Sequence, residues 1–143
     1  MQTEIKNEWI YEQSPNEVWA YLTEAELIAL WLMPNNFVPK LGQEFQFIAK
    51  PIPSLDLDGI FHCEILELVP FQKLVYTWKG GSGDGVFSLD TVVEWSLEKH
   101  SKGTKLLLRQ WGFKETNLAI CNAMTNGWNQ NVVKMMNFLN EKK

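Results

Sequence analysis

The chain has 143 residues, of which 45% are hydrophobic and 21% are charged, and its net charge is −4. This length is typical of one globular domain, 1–143, which buries about two-thirds of its unfolded surface. The chain has an acidic balance and no cluster of Lys or Arg. Nucleic acid is therefore excluded as a partner, because phosphate neutralisation dominates that kind of affinity.

Targeting and cysteine patterns point to a cytoplasmic protein. No apolar run approaches the ~20 residues that a membrane span needs, and the N-terminus lacks the basic-then-apolar order of a secretory signal. Cys63 and Cys121 do not have Cys-x-x-Cys spacing, so we expect two reduced, buried thiols. Together with two scattered histidines they form no metal-site pattern, and we expect no metal and no cofactor.

The N-terminal part predicts one strand followed by two short helices. Residues 4–11 alternate loosely between polar and apolar. Ser14-Pro15-Asn16-Glu17 is a capping box with proline at the first helical position. A second box at 23–26 predicts another helix, which Pro34 ends. The residues predicted to face the core from these helices are Val18, Trp19, Leu22, Leu27, Leu30 and Trp31.

The middle of the chain predicts a series of strands separated by turns. Residues 50–57 form a long connection, and 80–85 form a glycine-rich hairpin loop. In the strand between them, Phe61, Cys63 and Ile65 alternate, but Leu66 and Leu68 break that phase, which predicts a bulge. The predicted strands are 4–11, 43–49, 58–68, 73–78, 91–98 and 104–111.

Residues 116–139 predict a long amphipathic helix, because apolar residues recur there at steps of three or four. Its asparagines are mediocre helix formers, and Gly127 costs roughly 1 kcal/mol relative to alanine. Packing against a broad apolar surface must therefore hold this helix. Its predicted inward stripe is Leu118, Cys121, Met124, Trp128, Val132, Met135 and Leu139.

The order of these elements predicts an α+β fold. Sequential strands joined by short turns pair antiparallel. A curved antiparallel sheet of about six strands would wrap on the long C-terminal helix, with two short helices between strands 1 and 2. Such a helix grip leaves a cavity between the sheet and the helix.

Aromatic and methionine side chains are predicted to converge in that space. They either fill the core or line an apolar ligand cavity, and methionine suits the second role because it adapts to ligands of varied shape. Gln110 and Tyr76 would be its polar groups, since small-molecule sites combine apolar walls with a few polar contacts. The predicted lining is Trp31, Phe47, Phe61, Tyr76, Trp78, Trp95, Gln110, Met124, Trp128 and Met135.

The register of the last strand leaves one alternative open. If Leu106 and Leu108 face inward, so does Gln110, and Arg109 faces out to pair with a carboxylate such as Glu94. A slip of one residue would instead put Arg109 in the cavity, where it would bind an anionic ligand.

No catalytic constellation is predicted. By strand parity His62 lies on the outer face of the sheet, and His100 lies in a charged hairpin turn. A general base needs hydrogen-bond reach of a substrate, which neither position offers. The loop at 80–85 lacks the spacing of a phosphate-binding loop.

The chain also resembles a known family over nearly its whole length. The residues that carry the resemblance are Ser14-Pro15 to Trp19, Trp31, Gly42, Phe45, Gly59, 64–70, 74–78, 103–106, Gly112-Phe113 and Gly127-Trp128. It resembles single-domain proteins similar to the C-terminal domain of the activator of heat-shock protein 90 ATPase. These belong to the START-like (SRPBCC) superfamily with a Bet v 1-type helix-grip fold. The resemblance implies this architecture and a hydrophobic cavity, while function depends on the site.

Three functions are therefore weighed. The first is a non-enzymatic protein that binds a small apolar molecule, a lipid or an aromatic compound, in a cavity of at least ~300 Å³. The second is a stress-response interaction module whose partner is a chaperone, with a filled core and an exposed apolar patch. The third is a cyclase- or hydrolase-type enzyme, which needs a titratable group with a perturbed pKa inside the cavity. The sequence does not indicate the oligomeric state.

Overall fold

The computed structural model of the protein describes residues 4–141. Six strands and three helices make up most of this range. The strands are β1 (Glu4–Tyr11), β2 (Glu44–Ile48), β3 (Ile60–Val69), β4 (Lys73–Gly80), β5 (Leu89–His100) and β6 (Gly103–Trp111). The helices are α1 (Pro15–Thr23), α2 (Ala25–Trp31) and α3 (Leu118–Glu141).

The six strands form one antiparallel sheet in the order β1-β6-β5-β4-β3-β2. Consecutive strands from β2 to β6 are neighbours, whereas β1 and β2 lie at opposite edges. α1 and α2 carry the chain between those edges, and they pack with α3 on the concave side of the sheet. This arrangement confirms the predicted α+β helix-grip fold.

The start of α1 follows from its capping box. The Ser14 hydroxyl accepts from the Glu17 N–H at 3.4 Å, and the Glu17 carboxylate accepts from the Ser14 N–H at 2.9 Å. The second predicted box is wrong. The Thr23 hydroxyl donates to the Trp19 carbonyl at 2.8 Å, and Glu24 is an N-cap without a side-chain hydrogen bond. Thr23 therefore completes α1 instead of starting α2.

In α2, Ile28 rather than the predicted Leu30 faces the core beside Trp31. Leu30 is 42% exposed, while Ile28 and Trp31 are buried. Trp31 faces the core as expected, and its indole N–H donates to the Tyr21 carbonyl at 2.8 Å. The helix ends at Trp31, before Pro34.

The bulge in β3 is confirmed. The pairing of β3 with β4 shifts register between Ile65 and Glu67. Phe61, Cys63 and Ile65 are buried ahead of the shift, and Leu66 points to solvent. The extra residue therefore accommodates the change of phase seen in the sequence.

α3 begins slightly later than predicted, and this changes its first contacts. The chain enters it through a 3-10 turn at Glu115–Asn117, where the buried Asn117 amide donates to the Ser88 carbonyl at 2.9 Å. Leu118 is consequently 46% exposed and Ile120 is buried, which corrects the predicted stripe at its first position. None of the helices within residues 4–141 has the length and apolarity to cross a membrane.

Replacing Ser14 by alanine tests the cap of α1. The Ser14→Ala variant loses the hydroxyl that accepts from Glu17, and we expect the free energy of unfolding to fall by about 1 kcal/mol. Urea denaturation of both proteins measures this change. Ser101→Ala, in the exposed β5–β6 turn, is the control, and an equal loss in both variants would contradict the capping role.

Candidate functional site

Aromatic side chains fill most of the concave face of the sheet. Trp95 is fully buried at its centre, and the rings of Trp31 and Trp128 contact it edge-on at 5.9 and 5.4 Å between centroids. Trp78 extends the cluster, with its centroid 5.4 Å from Trp128 and 4.9 Å from Phe61. Such edge-to-face and offset contacts are favourable, so this part of the core is packed rather than hollow.

An apolar pocket lies at one end of this cluster. It lies between α3, the end of α2 and the connection between β2 and β3, and its volume is about 160 Å³. This is about half of the ~300 Å³ predicted for the binding function, so the predicted volume of the cavity is wrong. Its lining is Leu32, Met33, Ile52, Leu55, Leu57, Phe61, Trp78, Ile120, Ala123, Met124, Gly127, Trp128 and Asn131.

The predicted lining residues divide between this pocket and the packed core. Phe61, Trp78, Met124 and Trp128 line the pocket. The other predicted residues are buried beside it and do not reach it: Trp31, Phe47, Tyr76, Trp95, Gln110 and Met135. A role of any of these side chains in ligand binding stays a prediction.

Sequence reasoning missed the part of the wall that comes from the connection between β2 and β3. Ile52 and Leu57 form an isolated bridge there, with the Ile52 N–H donating to the Leu57 carbonyl at 2.8 Å. This turn folds Leu57 inward, where it is buried, and leaves Ile52 at the rim, 42% exposed. Three apolar residues at 52, 55 and 57, in a loop that starts with Pro51 and Pro53, were the available signal.

Gly127 lines the pocket, and a glycine at this position is not needed for the packing of α3. It lies within α3 and lines the pocket, and a Cβ added to it would meet no atom within 4 Å. The helix therefore has open space at a position where alanine would be roughly 1 kcal/mol more favourable.

Gln110 faces inward, which settles the register question. Its amide accepts from the Trp128 indole N–H at 2.9 Å and donates to the Thr91 hydroxyl at 2.9 Å. The Thr91 hydroxyl in turn donates to the Trp78 carbonyl at 2.9 Å. All four groups are buried. Gln110 therefore connects α3 to the sheet instead of offering a free polar group to a ligand.

Arg109 faces outward and pairs with a carboxylate, as predicted, but its ion-pair partner is Glu4 rather than Glu94. Its guanidinium pairs with Glu4 of β1 and lies 4.5 Å from the Trp111 ring centroid. The hydrogen bond from Arg109 lowers the pKa of Glu4. The same hydrogen bond raises the pKa of Arg109, and the charge of Glu94, which lies opposite Arg109 in the pairing of β5 with β6, helps to raise it. The Glu94 carboxylate lies 3.7 Å from the Lys73 ammonium. The pairing of β1 with β6 brings Glu4 close to Arg109, although the two residues are far apart in the sequence.

Burial keeps two titratable groups of the core, Tyr76 and Cys63, in their neutral forms. Burial raises the pKa of Tyr76 well above its usual range, and its hydroxyl oxygen accepts from the Trp95 indole N–H at 2.9 Å. Burial likewise raises the pKa of the Cys63 thiol, and neither Cys63 nor Cys121 forms a disulfide. A phenol or thiol that stays protonated does not act as a base or nucleophile near neutral pH.

Trp78 has an unusual feature in the pocket wall. The residue is 1% exposed, and its indole nitrogen is buried without a hydrogen-bond partner within residues 4–141. A buried donor without a partner is rare, because it loses its hydrogen bond to water on folding.

The outer face of the sheet carries hollows of larger volume. One, of about 470 Å³, contains His62, whose Nδ1 lies 3.3 Å from the Gln46 amide nitrogen, together with Glu64 and Lys79. The charged and polar wall of this hollow does not suit an apolar ligand. Over residues 4–141, no group of three or more His, Cys, Asp or Glu side chains is placed to hold a metal ion.

Comparisons with known proteins agree on one family and fold. A family model described as activator of Hsp90 ATPase homolog 1-like protein matches residues 12–140. Protein MLL2253 from Mesorhizobium loti is 30% identical, covers 98% of both chains and superposes with a TM-score of 0.87.

More distant structures show the same fold. Protein CV1439 from Chromobacterium violaceum is 21% identical over 97% of this chain and 98% of that chain, with a TM-score of 0.76. Protein NE0264 from Nitrosomonas europaea is 18% identical over 99% and 96%, with a TM-score of 0.78. A search of the curated proteins gave no match. The names of these relatives state no ligand and no activity.

Replacing Gln110 by leucine tests its structural role. The Gln110→Leu variant leaves the Trp128 indole N–H buried without its acceptor, so we expect the free energy of unfolding to fall by about 2–3 kcal/mol. Chemical denaturation measures it. Gln130→Leu, exposed on α3, is the control and should change stability by less than about 0.5 kcal/mol. Similar values for both variants would show that the amide does not anchor the helix.

Proposed function

This chain belongs to the family of activator of Hsp90 ATPase homolog 1-like proteins, and from that premise we propose that it binds a small apolar molecule between α3 and the sheet. The proposed role is non-enzymatic, and the ligand enters the pocket lined by Phe61, Trp78, Met124 and Trp128. The observation that carries the proposal is the open space in front of Gly127.

The volume of the pocket limits the ligand. The pocket measures about 160 Å³ and opens to the surface beside Ile52 and Ala123. An enclosed apolar cavity of ~150 Å³ is sufficient to bind benzene. The pocket therefore suits one ring or a short alkyl group. Of the two ligand classes expected from the sequence, this favours an aromatic compound over a lipid.

The position of Gly127 supports a pocket that serves binding. α3 already contains several asparagines and would gain stability from alanine at this point. Any larger side chain there would occupy the space beside Met124 and Trp128. A glycine that weakens the helix and leaves its pocket open is consistent with selection for binding rather than for packing.

A second candidate is an interaction module of the chaperone-cofactor type. It is supported by the filling of most of the core and by the partly exposed rim of the pocket, where Ile52 is 42% exposed. In that case the rim would contact a protein partner such as a chaperone. Location in the cytoplasm stays a prediction under either function.

Substitutions at Gly127 test the proposal. Wild-type protein is titrated with benzene, toluene and indole, and a ligand that binds only the native state must raise the Tm. We expect saturable quenching of tryptophan fluorescence and a raised Tm. Gly127→Leu should lose both responses because its side chain fills the pocket, while Gly127→Ala should raise the free energy of unfolding by up to about 1 kcal/mol.

Asn126→Leu is the matched control, since it adds the same side chain to an exposed position of α3. It should keep the ligand response of the wild type. If no ligand raises the Tm of the wild type, the binding function is refuted and the interaction module takes its place. If Gly127→Leu responds like the wild type, the ligand binds elsewhere.

A further inference from the structure

We propose that the ligand is a neutral, single-ring compound with one hydrogen-bonding group, and that the side-chain amide of Asn131 bonds to that group. This inference rests on the proposed function and specifies its ligand class. Three features of Asn131 lead to it: it is the polar member of the pocket wall, its amide has no protein partner, and it lies one helical turn from Gly127.

Asn131 differs in polarity and exposure from the rest of the pocket wall. It is the only lining residue with an amide, hydroxyl or charged side chain. The two tryptophans of the wall, Trp78 and Trp128, are buried, whereas Asn131 is half-buried and keeps contact with solvent. An amide both donates and accepts hydrogen bonds. Asn131 is therefore the polar side chain of the wall that is open to a partner from outside the protein.

The amide of Asn131 is also not used by the fold. α3 has three half-buried polar side chains, those of Thr125, Asn129 and Asn131. The Thr125 hydroxyl donates to the Cys121 carbonyl at 2.8 Å, and the Asn129 amide oxygen accepts from the Asn7 amide at 2.6 Å. Within residues 4–141 the side chain of Asn131 makes no hydrogen bond. A ligand that bonds to it therefore breaks no hydrogen bond of the protein.

The position of Asn131 directs its side chain towards the open part of the pocket. In a helix, a side chain leans towards the preceding turn and covers the residues three and four positions before it. For Asn131 these are Trp128 and Gly127, which both line the pocket. A Cβ at Gly127 would meet no atom within 4 Å, so this turn has room for a ligand beside the amide.

The wall and the volume of the pocket define the rest of the ligand. No lining side chain is ionisable, so a charged group would lose hydration without gaining an opposite charge. A volume of about 160 Å³ holds one ring, whereas fused polycyclic compounds are too large. The rings of Phe61 and Trp78 lie 4.9 Å apart and offer offset or edge-on contacts to that ring. The ligand class is therefore a single ring with a hydroxyl, carbonyl or amide group.

The test compares benzyl alcohol with ethylbenzene, two compounds of nearly the same shape of which only the alcohol forms hydrogen bonds. Their dissociation constants are measured for the wild type and for Asn131→Leu by calorimetry. The two compounds differ in hydration, so the informative quantity is the ratio of their affinities in each protein. We expect Asn131→Leu to reduce the preference for the alcohol by about 3- to 10-fold, the value of one hydrogen bond.

Asn126→Leu is the matched control. It makes the same substitution in α3, but at an exposed position that does not line the pocket. Its affinity ratio should equal that of the wild type. A second readout uses the ¹⁵N-labelled wild type, in which the Asn131 side-chain amide signal is identified by its absence from the spectrum of Asn131→Leu. This signal should shift more with benzyl alcohol than with ethylbenzene.

The outcomes separate this inference from the proposed function. Binding of both compounds with an unchanged ratio in Asn131→Leu, and equal shifts of the amide signal, overturns the contact with Asn131 while leaving the binding function intact. Binding of neither compound overturns both. Benzoate or 1-naphthalenemethanol binding as tightly as benzyl alcohol would overturn the neutral, single-ring class.

Discussion

The structure depends on the attachment of α3 to the sheet. This helix contains asparagines and a glycine, so its own propensity does not hold it, and packing must do so. Trp128 provides the central contact, because its ring packs against Trp95 and its N–H donates to the buried Gln110. Gln110 is in turn held by Thr91. A buried polar connection of this kind is satisfied in only one position of the helix, so it fixes where α3 crosses the strands.

That position also determines where the core is filled and where it is open. Around Trp95 the rings of both layers interdigitate. On the N-terminal side of Trp128, α3 has Ala123 and Gly127 at the pocket, where a methyl group and a hydrogen leave space unfilled. The helix cannot move closer there without disrupting the contacts of Trp128, because the packed rings prevent it. The pocket is therefore a consequence of small residues on a helix whose distance from the sheet is set elsewhere.

Most of the fold could be predicted from the sequence, since strand parity, proline and capping signals are local. Of the two registers considered for β6, the structure has the one in which Gln110 faces inward. The bulge in β3 follows from the point where the alternation of apolar residues changes phase. The error at Leu118 has a different origin: the Asn117 amide donates to a distant carbonyl, and this contact sets how α3 begins.

The pocket was predicted less well. Alternation shows which rings point inward, but not how tightly they pack or that residues 52–57 fold over one end.

Two departures from the most stable arrangement coincide in this pocket. Gly127 weakens the helix that the rest of the structure depends on. Trp78 buries an indole N–H without a partner, although three neighbouring tryptophans have one. A core that served packing alone would be improved by alanine at the first position and by an acceptor at the second. Local departures from stability that lie close together are typical of functional sites. The function of this fold is therefore best sought at this end of α3, where the aromatic cluster stops.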